Sequence, residues 1–150
     1  MKPEKLEINV ALQISKSINE VFEAIINPDK MSNYFISESS GIMTEGSELI
    51  WKFPEFDMEF PIRVGKIEKD KYISYYWEID GTELLVEMTL TVRENNYTLV
   101  SISEKSRNND ELGIKWLSGN SFGWSNFLAC LKAYLEYSIN LRKGAFDFMK

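Results

Sequence analysis

Trp124-Ser125-Asn126-Phe127-Leu128-Ala129-Cys130-Leu131-Lys132-Ala133-Tyr134-Leu135 is the stretch whose reading decides the fold. At about 100° per residue, Trp124, Phe127, Leu128 and Leu131 fall on one stripe, continued by Leu135, Ser138 and Ile139. Ser125, Lys132, Glu136 and Lys143 flank that stripe, while Asn126, Ala133 and Asn140 lie opposite. The spacing predicts a long amphipathic helix from about Ser121 to a stop at Gly144. Such a helix needs an apolar surface to cover.

The preceding chain supplies one. Leu49, Trp51 and Phe53 alternate with other residues, and so do Met58, Phe60, Ile62 and Val64. The pattern returns at Ile73, Tyr75, Trp77 and Ile79, and again at Leu84, Val86, Met88, Leu90 and Val92. Tyr97 to Glu104 closes the series. Period two gives each strand one apolar face. Asp80-Gly81 and Glu94-Asn95-Asn96 are turn signals, Gly41 and Gly46 mark bends, and Ser37 to Met43 is a weaker strand. Pro61 removes a ladder donor, which predicts a bulge or a local edge.

Further back, Ile8, Val10, Leu12 and Ile14 form a first strand. Ser17-Ile18-Asn19-Glu20 is a capping box, after which Ile18, Val21, Phe22 and Ile25 switch to helical spacing. Pro28 ends that helix, and Asp29 can cap a second short one carrying Met31, Tyr34 and Phe35. Lys105 to Asn120 reads as polar and irregular, with Asp110 capping a short turn through Trp116 and Leu117. Turn-length gaps force antiparallel neighbours. The result is an α+β fold in one domain over residues 1–150. A curved antiparallel sheet of about six or seven strands grips the long C-terminal helix, with two short helices after the first strand.

The composition narrows the chemistry. The 150 residues hold 17 basic and 23 acidic side chains, a net charge of −6, so there is no electrostatic basis for binding nucleic acid or an anionic membrane. With no histidine, Ser-His and Cys-His pairs and histidine-bound zinc are excluded. One cysteine gives neither an internal disulfide nor a thiolate cluster, so no metal and no cofactor is expected. The charged opening stretch from Met1 to Glu7 has no signal-peptide pattern. Phe127 to Leu131, the longest apolar run, is far below the ~18 residues of a membrane helix. A cytoplasmic location is the expectation.

The order of elements resembles the START-like helix-grip superfamily, and within it the domain related to the activator of the heat-shock-protein-90 ATPase. The resemblance is carried by Ser17 to Ile25, by Pro28-Asp29-Lys30-Met31 leading to Tyr34-Phe35, by the strand run with Trp77, and by Gly123 to Leu135. It spans essentially the whole chain. Tyr34 departs from it, because many relatives carry tryptophan there. So does the lack of polar groups that enzymatic members place inside the cavity. The resemblance implies a space between sheet and helix, used in the superfamily for lipids, hormones or polyketides, and chaperone binding in the namesake domain.

Strand parity turns Trp51, Phe53, Phe60, Tyr75, Trp77 and Met88 toward the helix, which offers Trp124 and Phe127. These are the candidate ligand-binding residues, and aromatic and methionine side chains suit an adaptable apolar pocket. Glu59, Glu78 and Glu87 fall on the solvent side, as does Arg63, and Glu55 and Asp57 read as a solvated loop. No catalytic residue is assigned. Cys130 reads as a buried structural thiol. Tyr134 and Tyr137 would place hydroxyls at a cavity mouth, and Phe146 and Phe148 would fold back on the body. The leading expectation is a non-enzymatic protein holding a small apolar molecule. The alternative is a chaperone partner engaged through an acidic surface of Glu45, Glu48, Glu55 and Asp57, with a cyclase-type enzyme using Tyr75 or Tyr134 third.

Overall fold

One antiparallel sheet holds every strand among the described residues, in the order β1-β7-β6-β5-β4-β3-β2. The computed structural model describes residues 4–150; Met1, Lys2 and Pro3 of the charged opening stretch lie outside the described residues. The strands are β1 (Lys5–Ile14), β2 (Glu38–Ser39), β3 (Glu48–Lys52), β4 (Glu59–Glu68), β5 (Tyr72–Ile79), β6 (Thr82–Val92) and β7 (Thr98–Asn108). Helices α1 (Ile18–Ile26) and α2 (Pro28–Met31) follow β1, and α3 (Glu111–Tyr137) follows β7. This is the α+β helix-grip arrangement: a seven-stranded sheet with α3 packed across β1 and β7. No helix among the described residues is long and apolar enough to cross a membrane.

Local chemistry explains the elements. The Glu20 amide donates to Ser17 Oγ and the Ser17 amide to the Glu20 carboxylate, so the capping box is closed and α1 buries Val21, Phe22, Ala24 and Ile25. The cap of α2 is Asn27 rather than Asp29. Its side-chain oxygen accepts from the Asp29 amide at 3.0 Å, with Pro28 at the first helical position, where its missing N–H is no loss. Pro61 faces Ile50 of β3, but pairing with β5 begins only at Arg63, so the proline sits on a locally free edge. The β4–β5 register then shifts between Val64 and Ile67, around Gly65, where an added Cβ would lie 2.7 Å from Ser74 Oγ. That bulge curves the sheet.

The long helix differs from expectation at both ends. It begins at Glu111, capped by Asp110, whose carboxylate accepts from the Gly113 amide at 2.8 Å. Gly113, Trp116 and Trp124 continue its buried side, but Gly119, Gly123 and the exposed Leu112, Ile114 and Phe122 dilute the period. The helix ends at Tyr137 rather than near Gly144. Ser138 takes left-handed geometry (φ 55°), and the Ile139 amide donates back to the Ala133 carbonyl at 3.2 Å. Ile139 is therefore exposed instead of lying on the stripe.

Two carboxylates contribute to the acid limb of stability. Near the end of α3, burial pushes the Glu136 carboxyl up, but Lys132 and the Ser15 amide outweigh it and hold the group below its ordinary value. On the outer sheet face the Tyr72 hydroxyl donates to Glu87, with Lys105 3.1 Å away, which lowers Glu87; burial and the Glu87 bond push Tyr72 up to about 12. A carboxyl lowered on folding contributes stability above its unfolded value and loses it as pH falls through the folded one. Urea midpoints are expected to hold above pH 4.5, the ordinary value of both groups, and to fall below it. Glu136→Gln should shrink that acid loss; an unchanged pH profile would contradict the assignment.

Candidate functional site

Along β7, Thr98, Val100, Ile102 and Glu104 all point into the body, and Glu104 is completely buried. Trp124 Nε1 and Asn120 Nδ2, neighbours one turn apart on α3, donate to one carboxylate oxygen at 2.9 and 3.0 Å. Trp77 Nε1 of β5 donates to the other at 2.8 Å. All three partners are donors, the set an ionised carboxylate takes. None of the ion pairs among the described residues involves Glu104. The expectation of an interior without polar groups, and so without an inward acid, is corrected by this residue. Its signal was present in the sequence, since Val100, Ile102 and Glu104 share parity. Glu59 and Glu78 are exposed and Glu87 lies on the outer face, as parity requires.

In front of this carboxylate lies a pocket of about 350 Å³. Phe53, Phe60 and Trp77 form its sheet wall, and Asn120, Trp124 and Phe127 its helix wall. Phe35, just after α2, packs edge-on to Phe127 at 4.8 Å and to Phe53 at 5.3 Å, closing one side. The Trp77 and Trp124 rings touch at a tilt of 38°, with centroids 5.9 Å apart. Gly119 and Gly123 open the helix wall: a Cβ built on either meets nothing within 4 Å. Five of the eight candidate ligand residues, Phe53, Phe60, Trp77, Trp124 and Phe127, border this space. Trp51, Tyr75 and Met88 lie deeper, in the packed core behind it.

The remaining side is built by residues read differently from the sequence. Glu55 is buried rather than solvated, because Arg142 reaches it with both terminal guanidinium nitrogens, Nη1 lying 3.2 Å from Oε2. The same guanidinium sits 5.5 Å over the Phe53 ring and 4.9 Å over Phe146. Phe146 folds back onto the body against Phe122, whereas Phe148 is exposed. Tyr134 and Tyr137 do not reach the mouth: Tyr134 stacks on Tyr34 at 5.8 Å and Tyr137 is exposed. The Tyr34 hydroxyl donates to the Ala24 carbonyl at 2.7 Å, satisfying the group that replaces the expected tryptophan. Cys130 is buried, donates to Asn126, and burial pushes its thiol up. The Tyr75 hydroxyl is buried without a partner among the described residues; burial, then the charges of Glu104 and Tyr34, push it well above its ordinary value.

The sequence is matched by a protein family. The model of the family described as activator of Hsp90 ATPase homolog 1-like protein matches residues 15–136. The chain belongs to this family. Among solved structures similar to this member, a protein from Staphylococcus saprophyticus, SSP2350, is 26% identical with a TM-score of 0.81, covering 91% of this chain and 96% of its own. DynU16, from the dynemicin biosynthetic locus, is 24% identical with a TM-score of 0.78, over 89% of this chain and 48% of its own. The Aha1 dimer protein from Colwellia psychrerythraea is 19% identical with a TM-score of 0.75, over 88% and 97%. No curated protein matches by sequence. For the last two, the likeness shows the fold alone.

Proposed function

We propose that this family member binds a small, mainly apolar molecule in the aromatic pocket and does not transform it. The observation that carries the reading is the notch on α3. Glycine in a helix interior is about 1 kcal/mol less favourable than alanine. Yet Gly119 and Gly123 stand one turn apart where an added Cβ would meet nothing within 4 Å. Packing gives no reason for them; an open pocket does. At about 350 Å³ the space lies at the small end of the roughly 300–1,000 Å³ of ligand pockets, suited to one or two rings.

Catalysis has less support. General acid–base work needs a group within hydrogen-bond reach of the reacting atom. Tyr75 is in the packed core, Tyr134 stacks on Tyr34, and Arg63 lies outside, paired with Glu83. Both oxygens of Glu104 already accept hydrogen bonds.

Gly123→Phe should fill the notch. The variant is expected to fold and to lose at least about tenfold in affinity for a neutral two-ring solvatochromic dye such as Prodan, the larger part of one ring's burial. Unchanged dye binding in Gly123→Phe, or none in the wild type, would count against the pocket. A chaperone-stimulating role draws on the family match alone. Of the four acidic residues expected to present it, Glu55 is buried against Arg142 and Glu45 accepts from the Ile67 amide. The ATPase rate of a chaperone with the protein at saturation decides that reading.

A further inference from the structure

Resting on the pocket reading above, we infer that the bound molecule is a lipophilic organic cation, an amine or quaternary ammonium on an apolar body. Its charge follows from the groups around the pocket. Of the charged residues that line it, Arg142 is paired with Glu55, and Glu78 stands exposed at the rim. Behind the wall, Glu104 is fully buried and is held by Trp77, Asn120 and Trp124, with no cation paired to it among the described residues. The local balance is negative, and a buried charge without a counter-charge is costly. Neutral N–H dipoles offset only part of that cost.

The walls have the complementary chemistry. Aromatic faces carry negative potential and attract a cation lying within about 6 Å of the ring. Both indoles that face the pocket donate their N–H to the same carboxylate. A hydrogen bond to an anion polarises its donor, pushing electron density toward the ring face. At the rim the protein already seats one cation this way, the Arg142 guanidinium over Phe53 and Phe146. An ammonium seated in the pocket against Trp77 and Trp124 would gain from ring and carboxylate together. A neutral body would gain burial alone, and an anion would be repelled.

The test uses three probes with the same ring and different heads: benzyltrimethylammonium, its neutral carbon isostere neopentylbenzene, and the anion phenylmethanesulfonate. Titration calorimetry of the wild-type protein should show the cation binding about tenfold or more tighter than the neutral isostere, with the anion weakest. Glu104→Gln should bring the cation-to-neutral ratio down toward one, whereas Glu68→Gln, an exposed carboxylate outside the pocket lining, should leave it unchanged. If Glu104→Gln does not fold, the wild-type ratio decides alone. A neutral isostere that binds as tightly as the cation overturns this inference and leaves the pocket standing. Failure of all three probes together with Prodan overturns the pocket and this inference with it.

Discussion

Glu104→Ala is expected to lower the free energy of unfolding by about 3–5 kcal/mol, read from urea denaturation near neutral pH. The carboxylate is the single acceptor for two indole N–H groups and one amide, brought from β5 and from two turns of α3. Truncation strands those donors, and a buried donor without an acceptor costs about 1–3 kcal/mol. Water reaching the half-buried Trp77 side from the pocket would relieve part of this, which keeps the expected total below the sum. Glu104→Leu should lose less, because it refills the volume while stranding the same donors. A loss under about 1 kcal/mol for the alanine variant would mean that Glu104 is no anchor between sheet and helix.

Trp124→Ala is expected to cost about 3 kcal/mol, the low end of the range for large aromatic truncations, because one side of the ring faces the pocket instead of packed atoms. The indole is otherwise enclosed, with Trp77 at 5.9 Å, Phe127 at 5.4 Å and Phe35 at 6.1 Å. Trp124→Phe removes the N–H together with the five-membered ring, so its loss of about 1.5–3 kcal/mol combines the bond to Glu104 with a small cavity. Because both residues share that bond, losses in the Trp124→Phe/Glu104→Ala double variant should fall short of additivity by about 0.5–3 kcal/mol. Strict additivity would show that the two act independently.

Much of this site was legible before any coordinates. Alternation placed Trp77 inward and helical spacing placed Trp124 on the facing stripe, and the two rings do meet. Both readings rest on repeating local patterns, which survive in the fold because burial enforces them. Glu104 was not assigned a role although Val100 and Ile102 share its parity, because only the distant indoles make its burial tolerable. Glu55 was misread for a similar reason. Its local setting, Pro54-Glu55-Phe56-Asp57, looks like a turn, and the arginine that buries it is 87 residues away. The end of α3 escaped because Ser138 is an unusual residue for left-handed geometry, while Gly144 advertised a later stop.

The arrangement of indoles also fixes what light can report about this protein. Trp51, Trp77 and Trp124 form a chain of rings with centroid spacings of 6.5 and 5.9 Å. At such spacings transition dipoles couple and excitation passes between rings far faster than it is emitted. Only Trp116, buried farther up α3, stands outside that chain among the four tryptophans of the sequence. Near-ultraviolet ellipticity and emission therefore belong to the cluster as a unit instead of to separate chromophores. Two of its three members hold the carboxylate and border the pocket, so the spectrum is weighted toward the interior wall and away from the rest of the domain.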